Sequence, residues 1–226
     1  MMGYSHALSG AVAASAIYAF APETLGPTTS AMAISSALIV GGALLPDADH
    51  PSASAARSFP PLSNVMVAGI SKISGGHRGY THTFFGVGIF AALTYLACQW
   101  RADVYGREVL PLAILIVAFC VSLGLSTLRI VPKGTGYLFG AAAGYLAYVS
   151  GIPSLTIASF LALGALIHLP GDVITTEGLK LFRPFSDVTV RIPILGNAGS
   201  AREKALDVLM LVSTALFIAQ GVGALG

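Results

Sequence analysis

The sequence predicts an all-α polytopic membrane protein: a helix bundle of about seven transmembrane spans with short interfacial helices, in a single domain over residues 1–226. Three observations carry this reading. Of the 226 residues, 55% are hydrophobic and only 10% are charged, against roughly 25% charged in an average soluble domain. So little charge cannot coat a water-soluble globule. The apolar residues gather into runs near the ~20 residues that cross a bilayer. No apolar–polar alternation reaches the strand period within those runs, which favours helices over a barrel. A net charge of +2 without any basic run leaves no electrostatic footprint for nucleic acid, and none is expected as a partner.

The first run, Tyr4–Ala21, ends in Ala19-Phe20-Ala21, a string like a leader cleavage site. No Lys or Arg precedes it, so it is expected to stay as a helix. Pro22–Ser30, with two prolines and a glycine, turns the chain into the second run, Ala31–Pro46. In the long loop that follows, Leu62, Val65, Met66, Gly69, Ile70 and Ile73 fall at helical spacing within Pro61–Ser74. That pattern reads as a helix lying in the membrane interface. The further spans are Thr81–Trp100, Val109–Leu128, Thr135–Ser150, Ser154–Leu169 and Ala205–Leu225, with a second interfacial element over Val173–Phe182. Gly136, Gly140 and Gly144 recur every four residues as a close-packing face. Cys98 and Cys120 sit inside apolar runs and read as small buried side chains, not a disulfide.

Seven alternating spans would put the N-terminus, the Asp47–Tyr80 loop, the Arg129–Gly134 turn and the Pro170–Lys204 loop on one side. Ten of the twelve cations fall there; Arg101 and Arg107 fall on the other. The positive-inside rule then makes that side cytoplasmic.

All five histidines map to the same side, at span ends or in the loops beside them. His6 opens the first span. Pro46-Asp47-Ala48-Asp49-His50-Pro51 follows the second, His77-Arg78-Gly79-Tyr80-Thr81-His82-Thr83 leads into the third, and His168 ends the sixth, four residues before Asp172. Imidazoles and carboxylates are the usual ligands of zinc and similar divalent ions, and ionisable groups at membrane depth tend to be functional. The expected metal ligands are His6, Asp47, His50, His77, His82, His168 and Asp172. His77 and His82 lie about 140° apart on a helix, so either His77 belongs to the preceding loop or only one of them is a ligand. Pro170 is expected to kink or end the sixth span while His168 and Asp172 turn into one cavity. The bracketing prolines suggest an extended loop that holds Asp47 and Asp49 on one side. Arg78 is placed to hold an anionic group, and Thr81 and Thr83 to support the ligands or cap the third span. Asp103, Asp187, Asp207, Glu23, Glu108, Glu177 and Glu203 read as solvated.

In order along the chain, these strings resemble the YdjM-type (LexA-regulated) membrane-bound metal-dependent hydrolases. The His-Arg-Gly-x-Thr-His string over His77–His82 is the most specific part. The resemblance implies a hydrolase of a bacterial or archaeal cytoplasmic membrane, with metal ligands at His6, Asp47, Asp49 or His50, His82, His168 and Asp172. It extends distantly to zinc-dependent phospholipase C and P1-type nucleases, which cleave phosphate esters. One or two divalent ions are expected, zinc first, with manganese or magnesium as alternatives. The expected chemistry is hydrolysis of a lipid or lipid-linked phosphoester by metal-activated water. Asp49 (or Asp47) would be the general base, and Arg78 would neutralise phosphoryl charge. Membrane lipids are the expected surroundings. Two other classes fit the same ligands: a metal-ion or solute transporter, and a non-catalytic scaffold stabilised by metal.

Overall fold

In the computed structural model, which describes residues 1–58, 61–132 and 134–224, all seven apolar runs fold as helices. Lys133 of the cation count and Leu225 at the end of the last run lie outside the described residues. The helices are α1 (Gly3–Phe20), α2 (Thr29–Gly42), α3 (Leu62–Ser74), α4 (Phe84–Cys98), α5 (Pro111–Thr127), α6 (Gly136–Val149), α7 (Ser154–Val173) and α8 (Ala201–Gly221). The helix α3 is the one expected in the interface. Two strands also form where only a turn is expected. Ala102–Val104 pairs antiparallel with Arg107–Val109 around Tyr105 and Gly106, both at positive φ, the backbone that a tight hairpin turn requires.

The expectation of seven spans is corrected. Among the described residues, two helices, α7 and α8, are long and apolar enough to cross a membrane. The apolar helices α2, α4 and α5 have 14, 15 and 17 residues. At 1.5 Å per residue they rise about 21–26 Å, short of a hydrocarbon core about 30 Å thick. α1 has 18 residues, but Ser5, His6, Ser9 and Ser15 interrupt its apolar character. The alternation that assigned a cytoplasmic side depended on seven crossings and falls with them. What remains is extensive exposed apolar surface. α8 leaves Val208, Leu209, Val212 and Leu216 more than half exposed, a surface suited to lipid and unsuited to water.

Helix ends follow local chemistry. Thr28 caps α2, Thr83 caps α4, and Ser200 caps α8 by accepting from the Glu203 amide. Ser200-Ala-Arg-Glu203 has the capping-box spacing. Glu203 is not solvated as expected: it is 2% exposed, and its carboxylate accepts from the amides of Met2 and Gly199, each at 2.6 Å. This ties the start of α1 to the start of α8.

Helix α2 is the centre of the bundle, packed on α1, α5 and α7. Leu38 and Ile39 bury against Val117, Cys120 and Leu161, and Cys98 and Cys120 are buried free thiols. The approach is close enough to exclude a β-carbon. One built on Gly41 would lie 2.4 Å from the Cys120 carbonyl oxygen, and one on Gly42 2.4 Å from that of Leu161. Gly140 and Gly144 meet the Ala118 and Ile114 carbonyl oxygens of α5 in the same way, and Gly136 meets the Ser126 hydroxyl. We expect Gly42→Ala to lower thermal stability in detergent by roughly 1–3 kcal/mol, because backbone and not a pliable side chain must give way. A melting temperature equal to wild type would contradict this packing.

Candidate metal centre

Four chain segments meet at one end of the bundle. The end of α2 runs into a 3-10 turn, Pro46–Asp49. A second 3-10 turn, Tyr80–His82, leads into α4. α7 brings His168 and Asp172 near its C-terminal end, and α1 brings His6 near its N-terminal end.

The expectation for Asp47 and Asp49 needs amendment, and of the two outcomes expected at Pro170 the helix end is not the one seen. Asp47 and Asp49 do not lie on an extended loop but in the 3-10 turn. In a 3-10 turn, positions two apart are rotated by about 240°, and the two carboxylates reach opposite ring nitrogens of His82: Asp47 faces Nε2 and Asp49 faces Nδ1. Pro170 lies inside α7, which continues to Val173. The helix therefore does not end there, and His168 and Asp172 share one face as i,i+4 neighbours.

Asp47, His82, His168 and Asp172 each offer a ligand atom within 4.8 Å of all the others. His82 Nε2 lies 3.4 Å from Asp47 Oδ1 and 3.6 Å from Asp172 Oδ2. His168 Nε2 lies 3.8 Å and 3.5 Å from the same two oxygens. These four separations compare with the roughly 3.3–3.6 Å between donors of a regular tetrahedron whose metal–donor lengths are about 2.0–2.2 Å. His82 Nε2, His168 Nε2 and Asp172 Oδ2 are also buried and make no hydrogen bond. Unpaired buried polar atoms are costly, and three converging on one point fit a cation. Nitrogen and carboxylate donors together suit a divalent metal ion.

The second ring nitrogens are held by the protein. His168 Nδ1 lies 2.8 Å from the Ala43 carbonyl oxygen. Donation to that carbonyl leaves Nε2 free to ligate. His82 Nδ1 lies 3.0 Å from Thr81 Oγ1 and 3.4 Å from Asp49 Oδ2. Asp49 is fully buried. Its Oδ1 is 2.9 Å from His77 Nδ1, and its Oδ2 accepts from the Thr81 hydroxyl. Thr83 instead caps α4.

His6, His50 and His77 stand outside the four-residue group. The His6 ring stacks on His168 with centroids 3.5 Å apart, and its Nε2 is 3.2 Å from Asp172 Oδ1. Gly171 makes room for it, since a β-carbon there would lie 3.0 Å from the His6 ring. His77 sits in the loop before the second 3-10 turn, 37% exposed. His50 packs edge-on against it at 4.5 Å, with Nδ1 on the Ser52 hydroxyl. Arg78 adopts φ 58°, an unusual backbone for a non-glycine residue. Its Nη2 lies 3.0 Å from Asp172 Oδ1 and its Nη1 2.9 Å from Glu177 Oε2. Sequence reasoning missed the Ala43 carbonyl, the Gly171 cradle and the pairing of Glu177 with Arg78. A backbone acceptor carries no residue signature, and the other two depend on which segments meet.

Electrostatics in the metal-free state follow from the packing. Burial alone would push the His82 pKa down, but the carboxylates of Asp47 and Asp49 beside it raise it to about 9. Burial alone would raise Asp47 and Asp49, but the neighbouring imidazoles hold both carboxyls well below the usual range. A group with a raised folded pKa stabilises fully below its unfolded value, and that contribution is lost as pH rises through the folded value. Metal-free protein is therefore expected to lose stability between about pH 6.5 and 9, while metal binding, which competes with the His82 proton, strengthens about tenfold per pH unit over the same window. Thermal melts and chelator competition across that range check both slopes. A flat metal affinity would remove His82 from the ligand set.

Fold and site together define a helical membrane protein whose buried histidine–aspartate cluster can hold a metal ion. The chain belongs to the YdjM inner membrane protein family, whose family model matches residues 1–224. No curated protein and no solved structure matches it.

Proposed function

We propose that this protein is a membrane-embedded, metal-dependent hydrolase that cleaves a phosphoester of a lipid or lipid-linked substrate. The observation that supports this most is the convergence of unpaired donor atoms from His82, His168 and Asp172 beside Asp47, the one partly exposed member of the group at 16%. The three buried donors would hold the ion while the Asp47 edge stays open to solvent. A divalent ion bound there supplies Lewis acidity, bringing the pKa of coordinated water toward about 7.

The protein's own residues complete the arrangement. The Ala43 carbonyl and Asp49 orient the two imidazoles. Asp49, with both oxygens engaged, is read as a positioning carboxylate and not as the free general base expected from the sequence. Arg78 holds an anionic group beside Asp172, as a planar guanidinium does for phosphoryl oxygens. Placement near the C-terminal end of α7, one of the two helices long and apolar enough to cross a membrane, suits a head group presented at the interface while its tail stays in lipid.

A second reading is a structural metal in a non-catalytic scaffold. One observation favours it: four protein donors can close a tetrahedral shell, the arrangement of structural sites. One experiment separates the two. Purified full-length protein in detergent is incubated with a panel of phospholipids and polyprenyl phosphates, with and without chelator. Chelator-sensitive phosphate or head-group release supports the hydrolase. Metal-dependent thermal stability with no turnover on any member of the panel favours the scaffold.

A further inference from the structure

Glu177 lies on the loop that leaves α7, five residues past the candidate ligand Asp172 and two past Thr175. Its side chain is 73% exposed, yet its Oε2 sits 2.9 Å from Arg78 Nη1. The rest of Arg78 is withdrawn from solvent, at 14% exposure. Nη2 pairs with Asp172 Oδ1 at 3.0 Å, the Thr175 hydroxyl lies 3.4 Å from Nη1, and Nε is buried without a hydrogen-bond partner. Arg78 thus joins an inner metal ligand to an outer, solvent-facing carboxylate.

From this arrangement we propose that the Nη1 edge of Arg78 is an oxyanion site for the substrate's phosphoryl group, and that the Glu177 carboxylate is a resident mimic which the substrate displaces. The inference rests on the hydrolase reading above. Charge supports it. A divalent ion, Asp47 and Asp172 sum to zero, as do the buried Asp49 carboxylate and the Met1 ammonium that pairs with Asp172, which leaves Arg78 balanced by Glu177. Displacing Glu177 restores one uncompensated positive charge beside the ion, the condition under which an anion binds. Energetics support it as well. An ion pair with so exposed a partner contributes little to stability, so exchange of Glu177 for a better anion is inexpensive. A phosphoryl group offers several acceptor oxygens where Glu177 presents one at Nη1, and can reach both the guanidinium and the ion.

The test uses full-length protein in detergent loaded with zinc, with inorganic phosphate as the probe. Metal content is measured by elemental analysis, and phosphate affinity by calorimetry, for wild type, Glu177→Gln, Arg78→Lys and the double variant. Glu177→Gln is expected to bind phosphate about fivefold more tightly, because an exposed competing pair has been removed. Arg78→Lys should lose most of the affinity, and Arg78→Lys in the Glu177→Gln background should lose the gain. Glu177→Gln changes an exposed side chain, so its folding is not in question. Unchanged phosphate affinity in Glu177→Gln with normal metal content overturns the mimic and leaves the metal site standing. Wild-type protein that holds no zinc overturns the metal reading, and the oxyanion site with it if phosphate also fails to bind.

Discussion

Asp172→Asn is expected to lower metal affinity by more than ~100-fold, beyond the 10–100-fold typical of changes one layer further out. The substitution keeps shape and volume but replaces a charged ligand oxygen with an amide. Asp172 is 1% exposed and sits at the junction of the site. Its Oδ2 faces His82 Nε2 and His168 Nε2, while its Oδ1 meets His6 and Arg78. The change therefore removes one of the two carboxylate charges that oppose the ion and takes from Arg78 and the Met1 ammonium the charge they share. Elemental analysis after gel filtration, with chelator competition for the residual affinity, measures it. Full metal content in a folded variant would take Asp172 out of the ligand set and with it the proposed centre.

The second large effect is expected from Asp49→Asn, a residue that contributes no atom to the four-residue group. Its carboxylate lies against His82 Nδ1 and accepts from Thr81, and its other oxygen meets His77. An amide in its place offers one acceptor oxygen and turns donors toward partners that need acceptors. His82 then loses the group that fixes its tautomer and raises its basicity. Metal affinity should fall by about 10–100-fold, and the His82 pKa of about 9 in metal-free protein should fall because one of its two carboxylates has been neutralised. Imidazole resonances followed by NMR against pH give the second readout. A structural role alone would leave that titration where it is. If affinity and titration both match wild type, Asp49 does not position His82.

The metal-ligand candidates were legible because their types are rare in so apolar a chain. Asp47, His82, His168 and Asp172 stand out against a background that is 10% charged, and each lies at the end of an apolar run. Helicity was legible for the same reason: runs without strand alternation leave few other folds. The number of crossings was not. Hydropathy marks a run as apolar, but the length of helix it forms depends on where caps and turns cut it. Thr83 starts α4 after His82, and the 3-10 turn Pro46–Asp49 stands apart from α2, which ends at Gly42.

Composition and periodicity by themselves determined that this chain is helical, apolar and supplied with imidazoles and carboxylates at helix ends, since those properties belong to residues and their immediate neighbours. Tertiary structure alone decided which of five histidines share a centre, that Asp47 and Asp49 meet His82 at opposite ring nitrogens, and that Glu177 faces Arg78. Such choices are made by contacts between segments far apart in the chain, 166 positions in the case of His6 and Asp172. Spacing along the chain carries no record of them, because side-chain direction is set by the packing of one helix against another.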